Sequence, residues 1–83
     1  MVGAVATLRL FASAREAAGT ARDTVPGTTV AEVLEHAVER YGSGFAALLG
    51  TCKVWVNGDE ATPDRVVSDT DEVAILPPVS GGA

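Results

Sequence analysis

Thr29-Val30-Ala31-Glu32-Val33-Leu34-Glu35-His36-Ala37-Val38-Glu39-Arg40-Tyr41 is the one long helical pattern in this 83-residue chain. Val30, Val33, Leu34, Ala37, Val38 and Tyr41 recur at helical spacing as a single apolar stripe, and Glu32, Glu35, His36, Glu39 and Arg40 fall away from it. Thr29 with Glu32 three residues later has the spacing of a capping box, and Gly42 stops the pattern. Everything around this helix reads as strand and turn. Before it, Val5 to Phe11 alternates, with Ala6, Leu8 and Leu10 on one side and Thr7 and Arg9 on the other. Ser13-Ala14-Arg15-Glu16 has capping-box spacing for a short helical turn closed by Gly19, and Asp23-Thr24-Val25 reads as a second strand ended by Pro26-Gly27. After the helix, Phe45, Leu48 and Leu49 seal one end of the core. Lys53 to Asn57 is a strand with Val54 and Val56 inward, followed by the strong turn signal Asn57-Gly58. A loop containing Pro63 and a turn at Ser68 to Asp71 precede a last strand with Val73 and Ile75 inward. The order is strand, strand, long helix, strand, room for a minor strand, final strand. This is an α+β domain whose sheet is packed on one side by the helix.

Eighty-three residues make one domain near the lower size limit for a single core, and 47% hydrophobic residues are enough to build it. The one cysteine, Cys52, leaves neither an intrachain disulfide nor a cysteine-cluster metal site, in keeping with a reducing compartment. The opening residues lack the basic region of a signal peptide, and no apolar run approaches a membrane span, so a cytoplasmic protein is expected. A net charge of −5 argues against nucleic acid, whose phosphates need a basic stripe. It suits a protein partner with a basic docking surface.

An active site is hard to find. Cys52 and His36 are the only Cys and His, and His36 lies on the polar face of the helix, so a structural thiol and a solvated imidazole are expected. Asp59, Glu60 and Asp64 form an acidic loop without recognisable ligand spacing, and no metal or bound cofactor is expected. Gly42-Ser43-Gly44 lacks the rest of any phosphate-binding fingerprint and reads as a helix exit.

Two features carry function instead. The run Asp71-Glu72-Val73-Ala74-Ile75-Leu76-Pro77-Pro78-Val79-Ser80-Gly81-Gly82-Ala83 leaves a strand through two stiffening prolines and reaches two residues without side chains. Glycine suits a backbone that must pass through a narrow space, so residues 1–76 read as the folded domain and 77–83 as a tail threaded into a partner's active site. Strand alternation also puts Phe11, Trp55 and Leu76 opposite the inward sets. If their strands are neighbours, they form an apolar patch beside the base of that tail, which would mark a partner surface.

These segments resemble the MoaD/ThiS family of ubiquitin-like sulfur carriers, over nearly the whole chain. The likeness rests on Phe11-Ala12 with Arg15-Glu16 and Gly19-Thr20, on Val56-Asn57-Gly58, and on Asp71-Glu72-Val73 leading to the Pro77 to Gly82 tail; the first and last sit closer to MoaD than to ThiS. The resemblance implies a β-grasp fold with a mixed sheet, and a noncatalytic carrier in molybdenum cofactor synthesis. An adenylating enzyme of MoeB/ThiF type would use ATP to activate Gly82, which would then hold a thiocarboxylate. Gly81 would permit threading, and Phe11, Trp55, Leu76, Pro77, Pro78, Val79 and Ser80 would contact partners, among them a MoaE-like large subunit. Two positions depart from the pattern. Thr70 stands where the family often has glycine, at small cost if its φ is negative. Ala83 follows the Gly-Gly, so its removal by a peptidase is expected before charging, with tolerance of the alanine as the alternative. The same features are compatible with a sulfur carrier for cysteine, thiamine or a secondary metabolite, with a protein modifier joined through Gly82, and with a plain ubiquitin-like binding module. Lys53, the only lysine, would be the one internal acceptor of a modifier that built chains on itself.

Overall fold

In the computed structural model, which describes residues 5–78, the first strand β1 (Val5–Leu10) buries Ala6, Leu8 and Leu10 and turns Thr7 and Arg9 to the other face. The chain leaves it through Phe11 and reverses at Ala12, whose φ is 52°. Helix α1 (Ala12–Ala18) follows directly. Its N-cap is Phe11, whose carbonyl accepts from the N–H groups of Ala14 (3.0 Å) and Arg15 (3.3 Å). Ser13 therefore lies inside the first turn, and the expected Ser13–Glu16 capping box does not form: a backbone reversal, not a side chain, starts this helix. Gly19 closes it in the left-handed conformation, as its position suggested.

β2 (Arg22–Pro26) runs antiparallel to β1 and leads into the long helix, α2 (Val30–Tyr41). Thr29 caps α2, its hydroxyl oxygen accepting from the Glu32 N–H at 3.2 Å. The Glu32 carboxylate reaches one residue further back than the standard box. It accepts from the N–H and hydroxyl of Thr28, at 2.8 and 2.9 Å. Val30, Val33 and Ala37 are buried, with Leu34, Val38 and Tyr41 half buried beside them, which is the apolar stripe read from the sequence. At the far end Tyr41 donates to Asp23 of β2 at 2.7 Å, and Arg40 adds a second bond at 2.9 Å. Chiefly through the Tyr41 hydroxyl, these bonds hold the Asp23 carboxyl below the usual carboxylate range and pin α2 to the sheet.

Gly42 ends α2, as expected, but Gly42-Ser43-Gly44 is more than an exit. The Gly42 carbonyl accepts from the Ala46 N–H at 3.1 Å and starts a further helix, α3 (Ser43–Leu49). α3 delivers Phe45 into the core, 1% exposed and edge-on to Tyr41 with ring centroids 5.1 Å apart.

β3 (Lys53–Val56) and β4 (Asp59–Glu60) form a hairpin around Asn57-Gly58, both at positive φ (53° and 90°), the signature of a type I′ turn. β5 (Glu72–Leu76) then inserts between β1, to which it is parallel, and β3, to which it is antiparallel. The sheet order is β2-β1-β5-β3-β4, with α2 and the core side chains on one face. This is the expected β-grasp. Thr70, which stood at a family glycine position, is not among the residues at positive φ, so its turn carries no such strain.

Asn57 ties the hairpin to β5. Its side-chain amide donates to Asp71 at 2.8 Å, and its side-chain carbonyl accepts from the Glu72 N–H at 2.9 Å. Asn57→Ala removes both bonds and puts a Cβ residue of low left-handed propensity in the turn, so a loss of about 2 kcal/mol is expected in urea unfolding. Asn57→Gly keeps the backbone conformation and should lose about half as much. Equal losses would show that the hydrogen bonds, not the turn conformation, carry the effect.

Candidate functional site

β1, β5 and β3 are adjacent, which is the condition on which a patch of Phe11, Trp55 and Leu76 depended. The register fixes how they meet. On the face away from α2, Arg22, Arg9, Ala74, Trp55 and Glu60 form one cross-strand row. In the next row toward the end of β5, Leu76 lies opposite Lys53. Phe11 stands just past β1, its N–H bonded to the Ile75 carbonyl at 3.3 Å, which sets it beside Leu76. Trp55 is then diagonal to Leu76 on the same face, within reach of a large ring. Phe11 is 39% exposed; Trp55 and Leu76 are half buried. Ala74 lies directly opposite Trp55 and adds only a methyl group to the face.

Two charge pairs border this patch. Arg9 bonds Glu72 at 3.0 Å, and its guanidinium carbon stands 5.7 Å from the centre of the Phe11 ring, in cation–π range. Lys53 pairs with Glu60 at 3.5 Å. Such half-exposed pairs add little stability, but they orient long side chains around the apolar centre. Sequence reading placed Arg9 on the outer side without connecting it to the patch. Its role becomes visible only through the parallel β1–β5 pairing, which sets Glu72 and Phe11 on either side of it.

β5 ends at Leu76, so the patch lies at the end of the strand from which Pro77 and Pro78 follow. Pro77 is half buried and Pro78 exposed. Val79, Ser80, Gly81, Gly82 and Ala83 lie outside the described residues.

The other candidates stay apart. The Cys52 thiol, pushed up by burial, donates to the Leu48 carbonyl at 3.4 Å, while His36 on α2 stands 3.9 Å from Glu39; neither is a partner of the other. Asp59 and Glu60 form β4, and Asp64 accepts from the Thr62 hydroxyl. Among the described residues, no helix is long and apolar enough to cross a membrane. Two exposed apolar side chains escaped sequence reading: Val5, at 38%, and Val66, at 70%. Val66 was hidden in what looked like plain loop; it forms an isolated bridge to Thr29.

Comparison with known proteins agrees with this geometry. The chain is 33% identical over 81 residues to a molybdopterin synthase sulfur carrier subunit from Phaeosphaeria nodorum, covering 87% of this chain and 84% of that one. It superposes on the small archaeal modifier protein 1 from Methanosarcina acetivorans with a TM-score of 0.86 at 30% identity, over 95% of this chain and 97% of the other. A structure of the BexX/CysO complex from Amycolatopsis orientalis matches with a TM-score of 0.79 at 25% identity, over 93% and 99% of the two chains. The ThiS family itself matches over residues 8–82. Because that match runs from Leu8 in the first strand to Gly82, on a fold shared with these structures, the chain belongs to the ThiS family of ubiquitin-like sulfur carriers.

Proposed function

We propose that this protein is the small, sulfur-carrying subunit of a molybdopterin synthase, with residues 1–76 as the docking domain and 77–83 as the reactive tail. The observation that supports this most is the 33% identity to a subunit of that kind, joined to a sequence in which Pro77-Pro78-Val79-Ser80-Gly81-Gly82 follows the last strand.

The chemistry follows from the weakness of a carboxylate as an electrophile. A peptidase first hydrolyses the Gly82–Ala83 bond, consuming water and releasing alanine. An adenylating enzyme of MoeB/ThiF type then joins the Gly82 carboxylate to AMP, with pyrophosphate leaving from ATP. A sulfur nucleophile at the oxidation level of sulfide displaces AMP and leaves a thiocarboxylate on Gly82. The carrier holds no cofactor; ATP belongs to the enzyme that charges it. Six residues from Pro77 to Gly82 span about 20 Å when extended, enough to enter a buried site in a MoaE-like subunit. That subunit supplies the acid, the base and the pocket for the pterin precursor, and the compartment is the cytoplasm. Phe11, Trp55 and Leu76 dock on it, and the paired charges around them fix orientation.

The test mixes the Gly82 thiocarboxylate form with a cognate large subunit and the pterin precursor. Complex formation and dithiolene product are expected. Phe11→Ala or Leu76→Ala should weaken the complex about tenfold to a hundredfold with little change in melting temperature, since each removes ~1.5–3 kcal/mol of interface burial. Absence of both complex and sulfur transfer, with transfer to another pathway's acceptor instead, would leave only the broader carrier role.

One observation favours a second reading, a protein modifier: the likeness to a small archaeal modifier protein at 30% identity. In that case Gly82 would be found in isopeptide bonds to target lysines in the native cell.

A further inference from the structure

We propose that the groove between α2 and α3 is a second docking surface, one that takes an amphipathic helical segment of a partner protein bearing lysine or arginine beside its apolar residues. Leu34 and Val38 of α2 and Leu49 of α3 line a shallow groove of about 400 Å³, rimmed by Glu35 and Glu39. The apolar side chains rest on the core yet remain only half buried. Leu34 and Val38 are four residues apart and stack along the helix; Glu35 and Glu39 repeat that spacing one residue round. The carboxylates therefore run in line beside the apolar strip. The opposite wall, α3, carries no charged residue from Ser43 to Leu49.

Of the nearby basic side chains, Arg40 is engaged away from the groove and His36 lies at its rim. Arg40 is turned to Asp23 and to the Thr24 carbonyl, both at 2.9 Å, and His36 stands beside Glu39 itself. An apolar floor with one acidic edge selects a cationic amphipathic helix, read through apolar anchors at i, i+4 and i+7. It disfavours a second copy of this chain, which has a net charge of −5 and the same acidic rim. The groove also lies on the helical side of the sheet, away from Phe11, Trp55 and Leu76, so both surfaces can be occupied at once. A partner seated in the groove leaves the sheet face free for a second one. None of this depends on the sulfur-carrier reading.

The test follows ¹H–¹⁵N spectra of the full chain during titration with a synthetic helical peptide. The peptide has leucines at i, i+4 and i+7 with lysines on both flanks, and a version with glutamates in place of the lysines is the control. Amides of Leu34 to Glu39 and of Leu48 to Gly50 should move, and those of Arg9, Trp55 and Ala74 should not. Leu34→Lys should weaken binding tenfold or more. The double variant Glu35→Gln with Glu39→Gln touches only exposed residues and should weaken it about fivefold, whereas Asp69→Asn should leave it unchanged. Four results would each overturn the proposal: equal binding of the glutamate peptide, shifts centred on the sheet face, no shift at millimolar peptide, or the same loss with Asp69→Asn. Groove resonances that move with protein concentration alone would assign the groove to a second copy instead.

Discussion

A chain ending at Gly82 should support ATP–pyrophosphate exchange with a cognate adenylating enzyme, and the chain ending at Ala83 should be slower by at least about a hundredfold. In the longer chain the Gly82 carbonyl is locked in an amide and offers no carboxylate. The terminal α-carboxylate is then on Ala83, one residue or about 3.3–3.6 Å further along. Misplacing a reacting group by even ~1 Å can cost a hundredfold in rate, and the alanine methyl group adds a Cβ where the proposed threading calls for glycine. The folded domain is identical in both forms, so docking through Phe11, Trp55 and Leu76 should be unaffected. The difference should therefore appear in exchange rate and not in binding of the uncharged carrier. Equal exchange by the two forms would refute the need for trimming. No exchange by either, with a partner that binds, would count against the carrier chemistry itself.

Period alone made much of the fold legible. The stripe on α2 and the alternation of β1 and β5 named Val30, Val33, Ala37, Ala6, Leu8, Leu10, Val73 and Ile75, and all of these are buried. The type I′ turn was legible because Asn57-Gly58 is a composition with a specific backbone consequence. What stayed hidden depended on groups distant in sequence or on the backbone itself. α3 was obscured because glycine at 42 and 44 reads as punctuation, while its helical character depends on Phe45 finding a place against Tyr41. The start of α1 was misread because Ser13 and Glu16 have the right spacing, but the reversal at Ala12 had already begun the helix. The candidate site divides in the same way. Strand parity put Phe11, Trp55 and Leu76 on one face, but only the strand order joins them, and only the parallel register brings Arg9 between Glu72 and Phe11.

Among the described glycines, Gly27→Ala should be the most damaging substitution, lowering stability by about 2–5 kcal/mol. Gly27 is buried between the end of β2 and the cap of α2, at a φ of 152° that side chains rarely adopt. A Cβ there would stand 2.7 Å from the Val33 backbone nitrogen and 2.9 Å from Val33 Cγ2. The first of these contacts is with backbone, so no rotamer change relieves it. The Val33 N–H bonds the Thr29 carbonyl at 3.0 Å in the first turn of α2, which must shift or strain. A shift would loosen the Thr29 cap and the Thr28–Glu32 bonds together. Unfavourable φ contributes roughly 1–2 kcal/mol and overpacking roughly 1–3 kcal/mol, a large share of the ~4–12 kcal/mol expected for a domain of this size. The melting temperature should fall by at least about 10 °C. Gly44→Ala is the internal control: it lies in α3 with nothing within 4 Å of its Cβ position, and should gain about 0.5–1 kcal/mol from helix propensity. If the two variants melt within a few degrees of each other, the close approach of Gly27 to α2 is not what sets that helix on the sheet.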